Sequence, residues 1–135
     1  MYEAFDSERI ARTFDLRPTV DSFTRMSGGA RLGRMIDHAH DLGAVRGATE
    51  RLLDAVGKLD NASVAGASRL PGWSRGHVLA HLSRNADALG NVLRGLPMYA
   101  SSETRDADIA DGAPRPAHEQ LTDLRESADG FLAVA

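Results

Sequence analysis

The chain has 135 residues, 42% of them hydrophobic and 5% aromatic, with a formal net charge of −3 at pH 7. That length suits a single folded domain whose core is mostly Leu, Val and Ala, and the mildly acidic balance argues against a nucleic-acid surface. The absence of cysteine excludes disulfides, thiolate metal sites and a cysteine nucleophile and suits a reducing, cytoplasmic setting.

No apolar run approaches the roughly 20 residues that a bilayer span needs, so no membrane partner is expected. The first six residues, Met-Tyr-Glu-Ala-Phe-Asp, carry acid and lack the apolar segment of a secretory signal. Residues 1–34 contain six Arg and five acids but few apolar residues at regular spacing, too few for a core of their own. Arg9–Phe14 can form a helical turn, Arg17-Pro18 breaks it, and Ser27-Gly28-Gly29 is a joint. The expectation is a weakly structured extension, or an arm for a partner. The folded domain is expected over 35–135, with Met35 an alternative beginning.

A first helix is predicted over 36–59. Leu42, Val45, Thr49, Leu52, Val56 and Leu59 alternate spacings of three and four, the seam of a bundle helix. His38 and His40 flank its start; His-x-His sets the two rings well apart around a helix, so they read as solvated. Asp60–Ser63 ends this helix, and 65–70 is expected to be a loop.

The central stretch begins at Leu70. Pro71-Gly72 signals a turn, Trp73 is the single tryptophan, and Ser74 suits a helix N-cap. From there to Arg94, Leu79, Leu82, Ala86, Leu89 and Leu93 mark an apolar stripe. His77 and His81 project from one side of this helix. Such a pair can ligate a metal, yet two ligands leave a tetrahedral ion half bound. The plainer reading is one half-buried His and one solvated. His77 is the weaker candidate: it stands where a capping box would have Glu or Gln, at a helix end that disfavours an imidazolium.

Gly95-Leu96-Pro97 stops the second helix, 98–101 is irregular, and 103–109 can form one or two turns. Asp111–Pro116 is a breaker cluster, with Pro116 suited to the first turn of a third helix. There Ala117, Leu121, Leu124, Ala128, Phe131 and Ala135 again space by four and three. The run Phe131–Ala135 has neither a glycine cap nor a terminal cation, so the chain reads as cut within or just after that helix. Three striped helices predict an all-α, antiparallel bundle. Stripes this wide also suit a fourth helix, and an uncovered face would invite association into a homo-oligomer.

The run LPGWSRGHVLAHLSRNADAL (70–89) resembles the signature of the mycothiol-dependent maleylpyruvate isomerase N-terminal domain, within the DinB-like helical-bundle superfamily. LGAVRGATERLLDAVGKLDNASV (42–64) is similar to that family's first helix, and PMYASSETRDADIADGAPRPAHEQLTDLRESADGFLA (97–133) to its connecting segment and third helix. The likeness covers roughly 35–135 and implies a DinB-like bundle with three of four helices present.

The resemblance also implies chemistry. Family members hold a divalent metal, usually zinc, through three protein ligands. The His of the His-Leu pair corresponds to His81; the Glu and second His lie on the fourth helix, which has no counterpart here. His77 is a weak substitute. A three-ligand metal leaves a position open for an incoming thiol, which loses its proton there. The cofactor implied is mycothiol or a similar low-molecular-weight thiol, and the reaction is cis–trans isomerisation of a maleyl group by thiolate addition, rotation and loss of the thiol.

Arg105 corresponds to an Arg associated with substrate handling, and a guanidinium fork suits a dicarboxylate; the alternative is a loop Arg paired with Asp106 or Asp108 in solvent. Arg84 and Asn85 can line a cleft, or cap the polar side of the second helix, and Asn85 can orient the His81 ring. The expected function is therefore the N-terminal part of a metal-dependent, thiol-using isomerase or transferase domain acting on a small molecule, inactive as given. The alternative is a non-catalytic bundle fragment that mediates association.

Overall fold

Each long helix begins where a side chain can accept backbone N–H groups that have no partner within the helix. The computed structural model describes residues 37–135, which carry five helices. Helix α1 (His38–Gly57) starts at Asp37, which accepts from the His40 N–H at 3.0 Å. Helix α2 (Asn61–Ala65) starts at Asp60, which accepts from the Ser63 N–H at 2.7 Å. Helices α3 (Arg75–Leu93) and α4 (Ser102–Gly112) start at Ser74 and Ser101, which accept from His77 and Thr104 at 3.2 and 3.1 Å. Helix α5 (Ala117–Leu132) has Pro116 at its N-cap and borrows its acceptor: Asn61 Oδ1, on α2, takes the Ala117 N–H at 2.8 Å.

The three predicted helices are α1, α3 and α5. The stretch Asp60–Ser63, expected only to end the first helix, instead opens α2, because Asp60 caps it. The one or two turns expected over 103–109 lengthen to the eleven residues of α4. Pro116 sits one place earlier than expected, at the N-cap itself. The predicted extension 1–34 lies outside the described residues.

Helix α5 packs along α3 and also against α1, while α4 and α2 pack on α3. Val56 of α1, Val64 of α2, Leu79 of α3 and Leu124 of α5 meet in the core. Burying each contributes about 1.5–3 kcal/mol. Beyond this cluster α3 buries small residues rather than its full leucine stripe: Gly76, Ala80, Ser83, Ala88 and Gly90 are covered. A Cβ on Gly76 would land on the Ala113 carbonyl oxygen, and one on Gly112 would lie 3.0 Å from the Ala80 methyl. The small side chains let the backbone at the end of α4 lie directly on α3.

Gln120 ties this junction from the other side. It is 1% exposed, and its Nε2 donates to the Gly112 and Ala113 carbonyls at 2.8 and 3.3 Å. Arg84 of α3 donates to Asp123 of α5 at 2.5 Å and lies 3.3 Å from Asp87. Arg84 thus ties α3 to α5. Helix α3 ends in a Schellman turn: Gly95 has φ +75°, and Leu96 N–H donates to the Asn91 carbonyl at 2.8 Å.

The far end of the leucine stripe stays open. Leu89, Val92, Leu93 and Leu96 are 39%, 48%, 53% and 54% exposed. Among the described residues no helix is long and apolar enough to cross a membrane.

Two substitutions separate helix propensity from packing. Among the described residues nothing lies within 4 Å of a Cβ added at Gly43 of α1, so Gly43→Ala is expected to stabilise by about 0.5–1 kcal/mol. Gly76→Ala is expected to destabilise by ~1–3 kcal/mol despite the same propensity gain, because the obstructing atom belongs to backbone. Gln120→Ala is expected to cost roughly 1–3 kcal/mol by stripping two carbonyls of their donor. Urea unfolding followed by circular dichroism measures all three.

Candidate functional site

The Pro71-Gly72 turn determines where the aromatic and imidazole rings lie. Gly72 has φ +78°, and the Trp73 N–H donates to the Leu70 carbonyl at 3.1 Å, as in a type II turn with Pro at its second position and Gly at its third. Ser68 clamps the exit, donating to the Trp73 carbonyl from its N–H at 2.9 Å and its hydroxyl at 2.8 Å. The Trp73 ring is thereby held against the first two turns of α3. Its centroid is 5.8 Å from the His77 ring, nearly parallel to it, and 5.8 Å from the His81 ring, edge to face.

The two histidines are in different chemical environments. His77 is the third residue of α3 and closes a capping box: its Nδ1 accepts from the Ser74 N–H at 3.1 Å and lies 2.8 Å from the Ser74 hydroxyl. Imidazole thus fills the place where Glu or Gln was expected, and the ring is half-buried rather than solvated. A backbone N–H can only donate, so Nδ1 offers its lone pair and the neutral ring carries its proton on Nε2.

His81 is also half-buried. Burial first, and then the positive charge of Arg105, hold its pKa below the ordinary histidine value. The ring is therefore uncharged at neutral pH.

Arg105 stands on α4. Its Nε and Nη2 donate to Asp106 Oδ1 at 3.0 and 2.8 Å, and its guanidinium carbon lies 5.9 Å from the Tyr99 ring centroid. The ion pair with Asp106 expected of a loop arginine is present. So is an electrostatic link from Arg105 to His81 across the α3–α4 packing, which no spacing along the chain announces. Tyr99 also escaped the sequence reading; its signal is an aromatic just ahead of a short helix that bears an Arg.

His38 and His40 are exposed, as expected, and His38 Nε2 lies 2.9 Å from the Ala135 carbonyl. Among the described residues no group of three or more His, Asp or Glu side chains could hold a metal ion. His81 is a single potential ligand, so the residues present do not fit a complete metal centre.

Two hollows flank α3. One of about 650 Å³ opens at its N-terminus, with His77 in its wall; one of about 200 Å³ lies farther along, between Arg84, Asn91, Tyr99 and Thr104. His81 lines neither.

The family model described as the mycothiol maleylpyruvate isomerase N-terminal domain matches residues 45–135. Among solved structures, the crystal structure of the mycothiol-dependent maleylpyruvate isomerase is similar, with a TM-score of 0.68 and 28% identity. A mutant of that enzyme with one histidine changed to alanine gives 0.67 and 27%. Each comparison covers 71% of this chain and 42% of the other, so the chain spans under half the length of these relatives. No curated protein matches it. With the all-helical fold, the Trp73 entry turn and the match over most of its length, the chain belongs to the mycothiol maleylpyruvate isomerase N-terminal domain family.

Proposed function

We propose that this chain contributes one wall of a thiol-dependent isomerase or transferase site that acts on a small maleyl-type dicarboxylate, with mycothiol or a similar thiol as cofactor. The observation that carries the reading is the family match over residues 45–135; the half-buried His81, whose pKa burial and then Arg105 hold down, accords with it. The solved relatives are mycothiol-dependent maleylpyruvate isomerases, which supports the choice of substrate and thiol. A cytoplasmic location accords with such a cofactor.

The chemistry asked of the site is simple. A thiolate adds to the cis double bond, the resulting single bond rotates, and the thiolate leaves to give the trans isomer, with no net change in atoms or electrons. Arg105 would pair with a substrate carboxylate through its planar fork, in competition with Asp106. Tyr99 would keep the guanidinium in place by cation–π attraction. The uncharged His81 ring offers a lone pair to the proton of an incoming thiol, or to a cation. As one ligand of a divalent metal such as zinc, His81 would need companions that the described residues do not bring to it. The alternative of a non-catalytic bundle that mediates association draws no support from the family match.

Arg105→Ala is expected to weaken maleate binding about tenfold or more, the loss of a charge-assisted pair. The same change should raise the His81 pKa, because it removes a neighbouring positive charge. Arg105→Lys should retain the effect on His81 yet bind maleate less well, since it lacks the fork. Calorimetry and NMR titration of the His81 ring read the two effects; maleate affinity that ignores position 105 would rule the role out. Zinc uptake by the chain should be weak and should vanish in His81→Ala; tight uptake that survives that change would put the metal elsewhere.

The lowered His81 pKa also has a consequence for stability. Between its folded and unfolded pKa values the unfolded chain holds more protons, so stability rises with pH in that window. The contribution is complete above the unfolded value of about 6.5 and is lost as pH falls below it. His81→Ala should flatten that part of the stability profile.

A further inference from the structure

The larger of the two hollows has His77 in its wall and neither His81 nor Arg105. We propose that it is a second ligand site, which takes a small organic acid: the carboxylate against His77, Asn61 and Arg115, the apolar body against the walls around them.

Its volume of about 650 Å³ falls within the range of small-molecule pockets. Three side chains in its wall offer donors. The His77 Nδ1 is held by the Ser74 N–H, so the free Nε2 carries the proton of the neutral ring. The Asn61 Oδ1 is held by the Ala117 N–H, which fixes the amide orientation and leaves Nδ2 to donate. Arg115 makes one long contact, 3.5 Å to Asp123 Oδ2. The other oxygen of Asp123 already accepts from Arg84, so most of the Arg115 fork stays available.

One acceptor in the wall that would repel an anion is already engaged. The Ala113 carbonyl in the wall accepts from Gln120 at 3.3 Å. Among the described residues that line the hollow, none is acidic. Beside Ser74, whose hydroxyl is taken up by His77, the remaining side chains of the wall are apolar: Val64, Ala65, Ala110, Ala113, Pro114 and Pro116. A bare inorganic ion would leave that wall unused, whereas a carboxylate with a short hydrocarbon body meets both parts. The site shares no lining residue with the His81–Arg105 pair, so it stands or falls separately from the proposed reaction.

Hexanoate and acetate, titrated calorimetrically into the full chain, test the assignment. The emission of Trp73, the single tryptophan, which stacks on His77, gives a second readout. Hexanoate should bind saturably, at one equivalent, and more tightly than acetate. His77→Glu keeps a residue able to close the capping box, so the helix start survives, while it sets a negative charge against the ligand. It and Arg115→Gln should each weaken hexanoate roughly 10- to 100-fold, with an unchanged circular dichroism spectrum confirming the fold. Arg105→Ala should leave hexanoate affinity as it was. Three outcomes overturn the proposal: no saturable hexanoate binding, equal affinity for acetate and hexanoate, or binding that Arg105→Ala removes and His77→Glu does not.

Discussion

Helix α3 has no room for a side chain at position 76, and the rest of the domain is arranged around that constraint. The carbonyl of Ala113 occupies the space a Cβ would need, and Ala80 and Gly112 touch one turn farther on. Glycine in a helix costs about 1 kcal/mol relative to alanine. Here the loss is offset by the close approach of a second backbone, which brings the end of α4 and the beginning of α5 onto α3. That approach delimits the hollow beside His77 and brings α4, with Arg105, within electrostatic reach of His81. Gln120 then supplies donors to the two carbonyls that the tight packing would otherwise strand.

The same turn that starts α3 also determines the chemistry of its two histidines. Trp73 touches both rings, yet they sit in opposite roles. One is committed to the backbone through Nδ1 and serves as a helix cap. The other has a partly dry environment and a nearby cation, and both favour the uncharged ring. Identical residues one helical turn apart thus acquire distinct chemical environments from their neighbours alone.

The uncovered leucine and valine side chains at the C-terminal half of α3 have a physical origin in how the helices share its surface. Helices α5, α4 and α2 pack on α3, and its small residues are the ones that allow the closest contact. The large ones at 89, 92 and 93, with Leu96 in the turn that follows, are left exposed. The wide stripe read from the sequence is therefore present, but the five helices described cover only part of it.

The all-helical class, three of the helices and the caps at Ser74 and Gly95 were legible in the chain, because periodicity, turn residues and capping are local properties that act within a few residues. The family resemblance was legible too, since the Gly-Trp-Ser entry turn and the His-Leu pair are contiguous. Helix α2 was missed because Asp60 ends one helix and caps the next, and a composition of Asn, Ala and Ser reads equally well as loop. The capping role of His77 was missed because imidazole is an uncommon substitute for a carboxylate or amide at that position. What sequence could not contain is the pairing of residues distant along the chain: Arg105 beside His81, Arg84 on Asp123, Gln120 on the carbonyls of 112 and 113, Asn61 capping α5. These depend on which faces of the helices meet, and that is decided by the fit of small side chains between backbones, a property of the packed molecule rather than of any single segment.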